Sequence, residues 1–202
     1  MASLSESSMS AIAERVASTA PAPGAGPSAA WTCALAASLV EMVSGVELAK
    51  DPADPDTVRG RRDRAAALRA QALELADADV AAYSAVLEER RHRKEKGHSG
   101  HLRDALSAAA DPPLQIVEAA AEVARLAADA MAEAHGAVRG EAFTAVILAE
   151  AVARAGLPLV DLNLGGVPAD PRHTRVRELA DGARAALERA LAADPGRRLQ
   201  AP

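Results

Sequence analysis

The chain of 202 residues has one tryptophan, one tyrosine, one phenylalanine and one cysteine. A single cysteine, Cys33, excludes an internal disulfide framework and fits a reducing compartment. With aromatics at 1% and hydrophobic residues at 50%, much of them alanine, the core must be built from small side chains. The formal net charge of -5 gives no electrostatic reason to expect nucleic acid or an anionic membrane as partner. No basic region followed by an apolar run opens the chain, so no signal peptide is expected. The apolar run at 34–43 is too short to span a bilayer and contains Glu41. These absences predict a cytoplasmic protein of one domain.

What is present is mainly helical patterning. Helices are predicted over 4–17, 28–49, about 55–91, about 101–134, 141–155 and 171–193. Pro112 and Pro113 should kink or break the fourth of these. The segment 156–166, GLPLVDLNLGG, reads as extended or irregular. The tail from residue 196 reads as disordered. The sum is an all-α antiparallel bundle of five to six helices, in one domain over 1–202.

Four stretches stand out chemically. PAPGAGPSAAW, residues 21–31, places Gly24 and Gly26 where positive φ and close backbone approach are available. Free N–H groups at the start of the next helix could receive an anion, although a Pro/Gly connector has the same composition. In LADADVAAY, residues 75–83, Asp79 shares a helix face with Ala72, Ala76, Tyr83 and Val86. Asp77 falls with Glu74, Ser84 and Glu88. Asp79 is therefore the half-buried carboxylate, suited to acid/base work or to bonding a neighbouring helix terminus, and Asp77 the solvated one. RRHRKEKGH, from residue 90, is a basic run with Lys94 as a candidate ligand contact. His92, His98 and His101 lack the partners and spacing of a metal site, and no metal is expected. HGAVRGEAF, from His135, offers a second glycine-bearing turn before a helix beginning at Glu141. The three aromatics, Trp31, Tyr83 and Phe143, each lie beside one of these stretches. That placement suggests one shared pocket for a flat ligand.

Taken together, these stretches resemble the cyclodeaminase/cyclohydrolase family. The loop is similar to its PAPGGGS pattern, and Asp77-Ala78-Asp79 with Tyr83 to its D-x-[DE] helix. Lys94 falls where the family has a lysine, eleven residues after the aromatic. Pro113-Leu114 and LVDLNL, ending in Asn163-Leu164, match further elements, so that the likeness runs from Ala11 to about Ala193. The resemblance implies an all-helical homodimer that binds a tetrahydrofolate derivative as substrate, without nucleic acid, membrane or metal. It implies hydrolysis of 5,10-methenyltetrahydrofolate or cyclodeamination of the formimino form. Asp79 and Lys94 would be catalytic. Pro23, Gly24, Ala25, Gly26, Ser28, Trp31, Tyr83, His135 and Glu141 would hold the substrate.

The departures are specific. Pro27 stands on the family's loop serine and has neither hydroxyl nor N–H. Ser28 could replace that serine only if the loop shifts. His135 and Gly140-Glu141 stand on an N-x-x-x-x-S-D stretch, and His92-Arg93-Lys94 replaces LPK. The same residues therefore also fit a catalytically degenerate homodimer that binds a folate-like molecule, or an enzyme with another substrate.

Overall fold

The computed structural model describes residues 7–96, 101–134, 136, 138–165 and 167–193. Among them are seven α-helices: α1 (Met9–Val16), α2 (Ala25–Leu48), α3 (Pro55–Lys96), α4 (Leu102–Ala108), α5 (Asp111–Glu133), α6 (Val138–Leu164) and α7 (Arg172–Ala193). α2, α5 and α6 pack mutually, with α3 against α2 and α5, and α7 against α5 and α6. The fold is the expected all-α bundle.

Alanine sets the packing. Ala30, Ala36, Ala37, Ala120, Ala124, Ala145, Ala149 and Ala153 are fully buried, interleaved with Val40, Val117, Val123 and Val146. Small side chains let helix backbones approach closely, so the core is built from many short contacts. Gly156 takes this furthest: a Cβ there would overlap the Val117 side chain, which seats α6 directly on α5. Cys33 is buried in the same core, and burial pushes its thiol up to about 12.

α2 and α6 are each long and apolar enough, by length and composition, to cross a bilayer. This corrects the expectation from residues 34–43 alone, because α2 extends the apolar segment on both sides. In the fold both are central helices, with three neighbours or more each.

Two expected breaks lie elsewhere. Pro112 and Pro113 do not kink a long helix; they occupy the first turn of α5, where missing N–H groups cost nothing. The break falls just before them, at Ala109–Ala110. The segment 156–164 is helical, not irregular. Pro158 sits inside α6 on its exposed side. The buried stripe Ala149, Ala153, Gly156, Val160, Leu164 runs through it at helical spacing.

Ionic clips fix the ends of the bundle. Arg61 is 5% exposed. It donates from Nε to Ser44 Oγ at 3.1 Å, from Nη1 to Glu133 Oε2 at 2.8 Å, and from Nη2 to Glu47. These bonds tie α3 to α2 and α5. Arg172 donates to the Ser107 carbonyl at 2.8 Å, to Ser107 Oγ at 2.7 Å and to Asp111 at 2.6 Å. It thereby holds α4 against the start of α7. Asp170, bonded by the same guanidinium, is drawn down to about 2.

Candidate functional site

A cavity of about 390 Å³ opens between the 21–26 loop, α3, α4 and α6. The loop and the first turn of α2 supply Gly24, Ala25 and Gly26. α3 supplies Asp79, Tyr83 and Arg90. Leu106 of α4, Pro113 of α5 and Leu159, Leu162 and Asn163 of α6 close the remaining sides.

The loop shapes this cavity by close approach, not by left-handed backbone. Neither Gly24 nor Gly26 has positive φ; Gly24, the N-cap of α2, has φ -129°. The Ala22–Pro23 peptide is cis. Gly26 is buried, and a Cβ on it would overlap the carboxyl group of Asp79. α2 begins three residues earlier than its sequence pattern suggests, so Gly26 and Pro27 lie within the first helical turn.

Asp79 is half-buried, and desolvation pushes its carboxyl up to about 6. A carboxyl in this range exchanges a proton near neutrality, as acid/base catalysis requires. Asp77 is half-buried too, not solvated. Tyr83 lies one turn beyond Asp79 on the cavity face, as its spacing predicts.

Other expected residues are placed differently. Pro23, Pro27 and Ser28 are not among the residues lining this cavity. The Ser28 hydroxyl donates to the Gly24 carbonyl at 2.8 Å, so it is committed to the loop's own backbone. Trp31 and Phe143 pack against the core, and the buried Trp31 Nε1 has no hydrogen-bond partner among the described residues. The three aromatics therefore do not share one pocket; Tyr83 alone of them lines the cavity. Glu141 is exposed in the first turn of α6 and does not line the cavity. His135 and His98 lie outside the described residues.

Lys94 is exposed and lines a separate depression with Arg90, Arg93, Leu102 and Leu106. Fifteen residues of helix put its Cα about 22 Å along α3 from that of Asp79. Arg90 and Leu106 line both hollows, so the two adjoin, with the Asp79 carboxyl in the first and Arg93 and Lys94 in the second.

Two polar lining residues, Arg90 and Asn163, are not among the residues expected from sequence. Arg90 lies seven residues after Tyr83 and eleven after Asp79, on the same helix face; its basic surroundings read as a solvated charge run. Asn163 belongs to a recognised motif but had no role there. Its Nδ2 donates to the Ala109 carbonyl at 2.9 Å and to the Leu159 carbonyl at 3.1 Å. Two carbonyl partners fix the amide's orientation and leave Oδ1 as an acceptor.

The sequence model of the family described as formiminotransferase-cyclodeaminase matches residues 8–181. The chain belongs to this family. Among solved structures it is similar to formiminotetrahydrofolate cyclodeaminase from Thermotoga maritima, with a TM-score of 0.84 and 19% sequence identity. That match covers 95% of this chain and 98% of the other. At this identity the likeness establishes the fold, and the family match extends from α1 well into α7. No curated protein sequence matches the chain.

Proposed function

We propose that this member of the family is a folate one-carbon enzyme that hydrolyses the methenyl bridge of 5,10-methenyltetrahydrofolate. The related activity, cyclodeamination of 5-formiminotetrahydrofolate, would use the same groups. The observation that carries the proposal is Asp79: a half-buried carboxyl, raised to about 6 by desolvation, lining a cavity with one basic end.

In hydrolysis, ionised Asp79 takes a proton from water as the oxygen bonds to the methenyl carbon. A neutral carbinolamine results. Its bond to N5 then breaks, with Asp79 returning a proton to N5 while the carbinol O–H proton leaves to solvent. The product is the 10-formyl compound, and one proton is released overall. In cyclodeamination, N10 bonds to the formimino carbon and the N10 proton passes to the formimino nitrogen as its C=N bond becomes single. Protonated Asp79 then gives a second proton to that nitrogen, which leaves as ammonia, and the methenyl cation remains. Both routes need the carboxyl to cycle, and a value close to the working pH serves both.

Leu106, Pro113, Leu159 and Leu162 offer apolar walls for a flat ring system. Leu162 is 76% exposed at the rim, apolar surface that a ligand would cover. Arg90, and beyond it Lys94, would face the carboxylates at the far end of the folate. The spacing along α3 favours this role for Lys94 over one at the reacting carbon. The working unit is proposed to be a cytoplasmic homodimer without a metal.

A second reading is favoured by the loop. Ser28 is bonded back to Gly24 and Pro27 offers no donor, so this chain has fewer groups to orient a substrate. A homodimer that binds a folate without turning it over would look the same. Following the absorbance of 5,10-methenyltetrahydrofolate with wild type and Asp79→Asn separates the two. Turnover lost in the variant supports the enzyme; thermal stabilisation by folate with no turnover in wild type supports the binder.

A further inference from the structure

We propose that Gly26 is a positioning residue for Asp79: the bare backbone in the first turn of α2 is the wall against which the carboxyl is held in the cavity. The inference deepens the acid/base reading of Asp79 and rests on it for its catalytic meaning. Its structural content stands on geometry alone.

Among the described glycines, a Cβ would overlap a neighbouring side chain at two positions, Gly26 and Gly156. The two differ in kind. Gly156 packs against Val117, an apolar contact between two core helices. At Gly26 all three nearest atoms belong to the carboxyl group of Asp79. Gly24 and Gly45, before and within the same helix, have open space where a Cβ would stand. The requirement for glycine at 26 is therefore a requirement for space at the carboxyl, not for helix packing or for a special φ.

Pro27 completes the arrangement. It is buried directly after Gly26 and has no N–H, so residue 27 cannot offer the carboxylate a backbone donor. Asp79 thus lies against close-packed backbone with no donor at residue 27, consistent with desolvation as the cause of its raised value. The ionisable groups lining the same cavity are Tyr83 and Arg90, both from α3 itself. The walls from the loop, α2, α4, α5 and α6 contribute backbone, aliphatic side chains and the Asn163 amide, none of which titrates. A methyl group at 26 would turn the carboxyl away from this wall toward solvent.

The test is a double-variant cycle with a direct titration, neither needing folate. Gly26→Ala is made in wild type and in Asp79→Ala, and thermal midpoints are compared. Gly156→Ala serves as the comparator in both backgrounds. Gly26→Ala should lower the midpoint of wild type, and this loss should vanish or reverse in Asp79→Ala, where the carboxyl is gone. Gly156→Ala should cost the same in both. Carbon NMR of labelled aspartates, assigned with Asp79→Asn, should show Asp79 titrating near 6 in wild type and lower, toward an ordinary aspartate, in Gly26→Ala. If that variant is too unstable to titrate, the Asp79→Ala background decides. An equal cost of Gly26→Ala in both backgrounds, or an unshifted titration, would overturn the proposal. Because these readouts need no substrate, a failure of methenyl hydrolysis would count against the folate reading and leave this one standing.

Discussion

Asp79 and Arg90 line one cavity from the same face of α3, three helical turns apart. A carboxyl that exchanges its proton near neutrality and a guanidinium are thus held on one helix. That spacing suits a ligand with a reacting cationic centre at one end and anionic groups toward the other.

Asp79 should destabilise the fold at neutral pH. Its carboxyl is raised from 3.8 to about 6 by burial, so the folded state holds this proton more tightly than the unfolded chain does. Below the unfolded value both states are protonated and nothing is lost. As pH rises from about 4 to 6 stability falls, and above 6 the loss is complete. Asp79→Asn removes the charge and should be more stable than wild type above pH 6, by about 1–2 kcal/mol after allowance for solvent screening. Thermal melts of both proteins at pH 4, 5, 6 and 7.5 check this. The gap should widen with pH.

Arg90 and Lys94 should separate by position. Arg90→Gln removes a cation from the cavity itself and should raise KM for the folate about 10-fold or more, with kcat little changed. Lys94→Gln, at an exposed site farther along, should raise KM about threefold. The Lys94 effect should shrink in high salt. Steady-state kinetics of the two variants at low and high ionic strength make the comparison. A larger kcat effect for Lys94 than for Arg90 would assign it to the chemistry instead.

Much of this was legible in the sequence. Asp79 was identified as the half-buried carboxylate because Ala72, Ala76 and Val86 share its face, and all three are buried. The all-α class followed from apolar spacing. The departures from expectation fall at prolines that the helices accommodate. At Pro112-Pro113 a first-turn position made proline harmless, and at Pro158 the exposed side of α6 did. The buried stripe from Ala149 to Leu164 was present in the sequence and signalled a continuous helix. Arg90 was missed because charge runs are usually solvated. Only the fold, which packs α4 against α3 and sets α6 in the same cavity lining, turns this arginine into a cavity wall. The shared aromatic pocket failed because Trp31 and Phe143 lie near the site in sequence yet pack against the core.

Arg172 should act on the site from a distance. It bonds Ser107 of α4 and Asp111 of α5 from the start of α7, and α4 carries Leu106 into the cavity wall. Arg172→Met should release α4, raising KM several-fold and lowering the melting midpoint by about 2–4 °C per kcal/mol lost. Hydrogen exchange of the 102–108 amides should quicken in the variant while α2 and α5 stay protected. Uniform exchange changes would show instead that the clip serves the whole bundle.

The central claim is that Asp79 performs acid/base chemistry on a folate one-carbon bridge. The most direct test is the pH dependence of 5,10-methenyltetrahydrofolate absorbance loss, above the buffer rate, for wild type and Asp79→Asn. Wild type should catalyse the reaction with an acid limb near pH 6, where Asp79 becomes protonated and stops acting as base. The variant should lose about 100-fold or more of this rate. A wild-type rate equal to buffer, or an Asp79→Asn rate equal to wild type, would contradict it.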